Sequence, residues 1–289
     1  MVSARDLTLR SLAGLSTGDA FGECFFRVSQ ELIRAREIPG APWVWTDDTC
    51  MALSIVEMLF ARGSIDQDEL ASMFARRYVR EPWRGYGAGA MRLLTLFASG
   101  ADWRIEAPRL FNGGSYGNGA AMRAAPIGAF FSGDLERTAQ EARMSAMITH
   151  AHPEGQAGAV AVAVAASIIS SNQEIAGSSF LHEVAQFLPS SKTREGIELA
   201  ESLKADEHAK AILALGTGTQ IAAFDTVPYC LWVVAHHAQD YETALWTTVA
   251  GKGDRDTTCA IVGGIVGQVR SIPKSWLDRR EPLPPELSI

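Results

Sequence analysis

The chain has 289 residues, 47% of them hydrophobic, enough to build a sizeable buried core. Its 33 acidic and 26 basic residues give a formal charge of −7, which excludes a general electrostatic attraction to nucleic acid or to anionic lipid. A phosphate-bearing ligand therefore needs a local site.

The first residues, 1–6, contain no apolar signal-peptide region. Residues 49–60 place Met51, Ile55, Met58 and Leu59 at helical spacing, after a polar Thr46-Asp47-Asp48 start that suits an N-cap. Residues 70–79 predict a second helix, stopped near Pro82, and residues 87–97 a third. Two more follow at 135–150 and 155–170. The latter is rich in Ala and Val, so burial on most faces is expected. Val160 to Val164 also fits a strand, but the alanine content and the length of the run favour helix. Its longest apolar run, 157–169, falls short of the roughly 20 residues a bilayer span needs. Further helices are predicted at 194–204, 207–213, 226–238, 241–250 and 257–271. Glycine-rich stretches at 113–119, 216–218 and 251–253 punctuate them, and a proline-rich tail, 279–289, is expected to wrap the surface.

Cys24, Cys50, Cys230 and Cys259 form no C-x-x-C pair, so neither a zinc ribbon nor a redox dithiol is indicated. With no repeat and no composition shift, the expectation is one all-α, orthogonal multi-helix domain over residues 1–289, cytoplasmic and without membrane attachment. Its site would be built from loops and helix N-termini. The oligomeric state is not legible.

Two segments carry unusual chemistry. Trp45-Thr46-Asp47-Asp48-Thr49 and Gly253-Asp254-Arg255-Asp256-Thr257-Thr258 each put two carboxylates and hydroxyls directly before an apolar helix. Adjacent carboxylates repel when ionised and desolvated, and a divalent cation removes that repulsion. Oxygen donors of this kind suit Mg²⁺, Mn²⁺ or Ca²⁺, not zinc. Either segment alone reads first as a helix cap. The two together point to metal, although spacing does not bring them together in space.

Five motifs, in order, are similar to those of a known family. Gly14-Leu15-Ser16-Thr17-Gly18-Asp19-Ala20-Phe21-Gly22 resembles an opening G-x-x-x-G-D-A-x-G helix, and Thr46-Asp47-Asp48-Thr49 a T-D-D-T metal motif. Residues 114–123, GSYGNGAAMR, resemble a G-N-G-A-M-R segment. Thr149-His150 resembles a T-H motif and Gly253-Asp254-Arg255-Asp256-Thr257 a G-D-T-D-T motif. The family is that of the ADP-ribosylglycohydrolases. The resemblance implies an all-helical fold, a binuclear Mg²⁺ or Mn²⁺ centre and an ADP-ribosylated substrate. By motif, Thr46, Asp47, Asp48, Asp254, Asp256 and Thr257 carry over as metal ligands. Arg255 departs from the family's usual Thr and is expected to point away. Members place a Glu several residues after the first motif, where this chain has Phe26; Glu23 is the shifted candidate, with a structural role as its alternative. Candidate catalytic residues are thus Glu23, Asp47 and Asp256.

Substrate contacts are expected from Gly114, Ser115, Tyr116, Gly117 and Asn118, a plausible pyrophosphate cradle in which backbone N–H groups approach phosphate oxygens. It is neither a Walker loop nor a G-x-S-x-G elbow. By analogy His150 contacts ribose or phosphate; a core histidine is the alternative. His150 and His152 lack the partners of a zinc site. His236-His237 reads as a helix C-terminal dipole contact, and residues 216–218 and 225–228 as a later pocket wall. Trp43 and Trp45 read as core, with a flap over the ligand as alternative, and Gly263-x-x-x-Gly267 as close helix packing. Competing functions are a non-catalytic ADP-ribose reader or toxin-immunity protein, against which the complete ligand set argues, and a helical phosphohydrolase cutting the pyrophosphate.

Overall fold

A serine cap opens the first helix: the Ser3 hydroxyl accepts the Asp6 amide at 3.1 Å, and α1 (Ala4–Glu23) runs on from it. The computed structural model describes residues 2–172 and 176–289. Within them follow α2 (Gln30–Arg34), α3 (Asp47–Arg62), α4 (Gln67–Arg80), α5 (Ala88–Ala98), α6 (Trp103–Arg109), α7 (Ala125–Phe130), α8 (Leu135–Met147) and α9 (Pro153–Ser171). The second half adds α10 (Gly177–Gln186), α11 (Lys192–Ala200), α12 (His208–Leu215), α13 (Ala223–His237), α14 (Tyr241–Ala250), α15 (Arg255–Val266) and α16 (Lys274–Leu277). No strand occurs among the described residues; two isolated bridges join Trp43 to Arg280 and Gly117 to Ala222. The chain adopts the all-α class its spacing predicts.

Every helix predicted from spacing has its counterpart, and the ends differ for physical reasons. α15 stops at Val266, short of residue 271, with Gly267 as its C-cap lying against Gly14 of α1. α13 begins at Ala223, ahead of residue 226, with Asp225 in its first turn and Pro228 tolerated inside. The segment 160–164 is helical, inside α9. That helix is longer than its apolar run, and by length and composition it could cross a bilayer, but every residue from Ala157 to Ile169 is buried in this protein.

The packing that matters most for the site is between α1 and α15. Gly14, Gly18 and Gly22 recur every fourth residue on α1. A Cβ at these positions would run into the carbonyl oxygens of Gly263, Cys259 and Arg255, which recur every fourth residue on α15. The helices therefore touch backbone to backbone, and only glycine fits. Ser11 donates to the Gly264 carbonyl and Tyr241 to the Gly14 carbonyl, each at 2.7 Å. This contact sets the first turn of α15 beside the C-terminal half of α1.

The loop before α3 is fixed from the other side. Trp43 and Trp276 pack with Phe21, whose ring stacks on Trp276 at 4.5 Å. The tail does more than wrap the surface: Glu281 donates its amide to the Trp43 carbonyl at 2.7 Å, and its carboxylate receives Arg84 twice, at 2.7 and 2.8 Å. The Arg84 guanidinium lies 3.5 Å over the Trp45 ring. Trp43 and Trp45 are thus core residues, not a flap.

Candidate active site

Thr46 caps α3, its hydroxyl accepting the Asp48 amide at 3.3 Å and donating its own proton to Asp19 at 2.9 Å. Asp19 projects from α1 and is fully buried. It also accepts the Thr46 amide at 2.9 Å, the Thr49 amide at 3.1 Å and the Thr49 hydroxyl at 2.6 Å. One carboxylate thereby fixes the entry into the first acidic segment. The Asp47 amide is taken by the Arg84 carbonyl at 2.7 Å.

The second segment is shaped by glycines at positive φ. Gly253 (φ 64°) lies against the Thr217 carbonyl, which accepts the Asp254 amide at 3.0 Å, and Gly218 (φ 87°) abuts the Asp254 side chain. Asp254 occupies the N-cap position of α15 but makes no capping bond. Its Oδ2 instead accepts the Asn118 carboxamide at 2.7 Å. Simple capping therefore accounts for Thr46 and not for Asp254.

The two segments meet. Asp48 carries a proton affinity well above the ordinary carboxylate range, first because it is buried and then because Asp19, Asp256, Asp47 and Asp254 surround it. Asp256 is raised likewise by burial and then by Asp254 and Asp19. Burial pushes Asp47 up to about 7, with Asp19 adding to the effect, and Asp19 to about 6. Asp48 Oδ2 and Asp256 Oδ1 are buried with no hydrogen-bond partner among the described residues. Thr257 is buried in the same first turn of α15. Arg255 points away, as expected: its guanidinium donates to the Phe25 and Val249 carbonyls. Among the described residues, no group of three or more acidic, His or Cys side chains is arranged so that it could hold a metal ion as it stands. What the fold provides is an open cluster of mutually repelling carboxylates.

Glu23 ends α1 and is exposed at the rim. Partial burial raises its carboxyl, Arg27 opposes this, and the charge of Asp254 adds to it. Glu23 is thus within electrostatic reach of the second segment, whereas the Phe26 ring is exposed.

The glycine-rich segment joins the same site, but not quite as a phosphate cradle of free amides. Gly117 N–H donates to Ser115 Oγ at 3.1 Å, Gly114 N–H to the Leu110 carbonyl at 2.8 Å and Asn118 N–H to the Ile221 carbonyl at 3.1 Å. Two of these amides are spent locally and the third on holding the loop to the chain before α13, so a ligand would meet side chains and the remaining backbone. Tyr116 is exposed, edge-on to His152 at 5.6 Å and tilted against Phe224 at 6.1 Å. His150 is buried, with Nε2 lying over Gly117 and Gly119. His152 caps α9 through Nδ1.

Two residues were given no role from sequence although both lie in the quoted motifs. Asp19 organises the start of α3. Arg123 is almost completely buried, 4.6 Å from the Phe74 ring, and donates to Thr149 Oγ1 at 2.9 Å and the Ser145 carbonyl at 3.2 Å. Burial brings its pKa down to about 9, with the Asp47 charge acting against that fall. For Asp19 the available signal was a lone carboxylate in the otherwise small and apolar first motif; Arg123 lies in a turn before α7, where local spacing gives no such signal.

Comparison with known proteins gives a consistent picture. Residues 2–287 match the family profile described as ADP-ribosylglycohydrolase. The chain is 31% identical to human ADP-ribosylhydrolase ARH3 over 272 residues, covering 80% of this chain and 73% of that one. It is 28% identical to the bovine protein of the same name over 321 residues, covering 92% and 86%. A solved structure described as an ADP-ribosylglycohydrolase-related protein complex superposes with a TM-score of 0.70 at 23% identity, covering 97% of this chain and 94% of that one, and shares the fold. With its sequence matched end to end and its acidic segments drawn into one cluster, the chain belongs to the ADP-ribosylglycohydrolases, a family of hydrolases acting on ADP-ribose linkages.

Proposed function

We propose that this protein hydrolyses the glycosidic bond between ADP-ribose and an acceptor, using two divalent ions bound by residues 46–48 and 254–257. The observation that carries this reading is the pair of buried, partnerless oxygens Asp48 Oδ2 and Asp256 Oδ1, one from each segment. A buried carboxylate oxygen without a partner is costly, and burial together with neighbouring carboxylates raises the proton affinity of Asp47, Asp48 and Asp256, a repulsion that a bound cation would relieve. The donor set is all oxygen, which fits Mg²⁺ or Mn²⁺ held by Thr46, Asp47, Asp48, Asp254, Asp256 and Thr257. When bound, such ions orient sugar hydroxyls and supply a water of lowered pKa.

The protein's own groups supply the rest. The bond between the anomeric carbon of the distal ribose and the acceptor heteroatom breaks, and the acceptor leaves with the electron pair and takes a proton. The oxygen of water is added to the anomeric carbon. Glu23 stands at the rim with a carboxyl raised by burial, suited to carry that proton on a carboxyl oxygen. Tyr116 and His150 line the approach from the glycine-rich segment. The acceptor is left open: arginine, serine, a nucleic-acid group or a small metabolite.

The test is a panel of defined ADP-ribosylated substrates incubated with Mg²⁺, Mn²⁺ or EDTA, with products identified by mass. Intact ADP-ribose released only with a divalent ion supports the proposal. AMP would indicate pyrophosphate cleavage, and binding without turnover a reader. Asp256→Ala should be inactive with an unchanged helical circular dichroism spectrum; full activity in that variant would reject the assignment.

A further inference from the structure

Three side chains beside the acidic cluster form a relay that the reaction as described does not use. Arg123 Nη2 donates to Thr149 Oγ1 at 2.9 Å, and Thr149 Oγ1 lies 2.8 Å from His150 Nδ1. All three residues are buried. An arginine only donates, so Thr149 Oγ1 accepts from it. The hydroxyl still has one proton to place. Among the described residues, Nδ1 of His150 is the one acceptor at hydrogen-bond distance from it. Were Nδ1 protonated, the threonine oxygen would face two donors and its own proton would be buried without a partner, at a cost in free energy.

We infer that Arg123 and Thr149 are positioning residues that lock His150 as the neutral tautomer with its proton on Nε2. His150 is then a fixed hydrogen-bond donor to an oxygen of the ligand, a hydroxyl or phosphate oxygen, and neither a general acid nor a general base. The Nε2 atom has no hydrogen-bond partner among the described residues and lies over Gly117 and Gly119, where a Cβ would come within 3.4 and 3.3 Å of it. Glycine at both positions keeps that face open. Burial, with the nearby charge of Arg123, agrees with this: together they hold the His150 pKa down to about 3. The tautomer is a property of the protein alone; only the identity of the group that meets Nε2–H rests on the proposed function.

Long-range ¹⁵N–¹H correlation spectra of the ligand-free protein, labelled at its histidines and assigned with His150→Asn, read the tautomer directly. The wild type should show Nδ1 unprotonated and Nε2 protonated, unchanged between pH 5 and 8. Thr149→Val should shift part of the population to the Nδ1–H form and raise KM for an ADP-ribosylated substrate about tenfold, with a smaller change in kcat. Thr149→Ser should restore the wild-type spectrum. Nδ1–H in the wild type would overturn the inference, and so would a Thr149→Val spectrum identical to it. Should Thr149→Val not fold, the wild-type spectrum decides. If no substrate is turned over, the proposed function fails while the spectra still judge the relay.

Discussion

Asn118 donates its carboxamide hydrogen to Asp254 Oδ2 at 2.7 Å, across 136 positions in the chain, and a second one to Thr226 Oγ1 at 3.1 Å. The glycine-rich segment, the start of α13 and the second acidic segment are thereby one construction. Asn118→Ala removes both bonds and leaves Asp254 without its donor. We expect a loss of about 1–3 kcal/mol in unfolding free energy and a fall of roughly 10- to 100-fold in kcat/KM for ADP-ribosyl hydrolysis. Denaturant unfolding and steady-state kinetics check the two. Unchanged kinetics would detach Asn118 from the site.

The contact of α1 with α15 predicts a severe effect from the smallest substitution. Gly18→Ala puts a methyl into the Cys259 carbonyl, which is backbone and cannot step aside. The cost should be at least about 1–3 kcal/mol, the range for overpacking. An exposed control such as Gly40→Ala, whose added Cβ meets nothing within 4 Å, should stay within about 0.5 kcal/mol. Equal melting temperatures for the two variants would contradict the backbone-to-backbone contact.

Arg255 offers the reverse case. Its guanidinium serves the Phe25 and Val249 carbonyls and not the cluster, so Arg255→Thr should lower stability by about 1–3 kcal/mol. Activity at a temperature where the variant is folded should remain within roughly threefold of wild type. A much larger loss would place the guanidinium in the chemistry.

The acid cluster predicts a pH dependence with a definite sign. Asp19 and Asp47 titrate near 6 and 7 in the folded protein against an ordinary value of 3.8. The folded state therefore binds more protons than the unfolded state in this interval. The cluster is least costly below about pH 4, and stability is lost as pH rises towards 7. In EDTA, Asp48→Asn should raise the melting temperature more at pH 7.5 than at pH 5, and it should abolish any stabilisation by Mn²⁺. Thermal melts of both proteins at the two pH values test this, and an equal shift at both would count against the electrostatic origin.

Much of this was legible in the sequence. Helix α3 declares itself by apolar periodicity and α9 by its alanine content and length, and Thr46-Asp47-Asp48 and Asp254-x-Asp256 stand out because each pairs acids before an apolar helix. α10 was missed although Phe180, Leu181, Val184 and Ala185 carry the helical period, because the segment is short and its flanks are polar. The role of Asp19 was not legible. Its partners lie 27 and 30 positions away, and only the packing of α1 brings them together. The glycine-rich loop reads as a set of free amides, whereas those of Gly114 and Gly117 are consumed locally and that of Asn118 by the Ile221 carbonyl, a contact that local spacing does not reveal. Gly263-x-x-x-Gly267 was read as a close helix contact, and its partner proved to be Gly14.

Divalent-ion binding by the two segments is most directly measured by titrating Mn²⁺ into the metal-free protein, by calorimetry or electron paramagnetic resonance, in wild type and in Asp48→Ala and Asp256→Ala. Saturable binding in the wild type, lost or sharply weakened by either substitution although they lie on different helices, is the predicted result. No binding in the wild type, or wild-type binding in both variants, would contradict it.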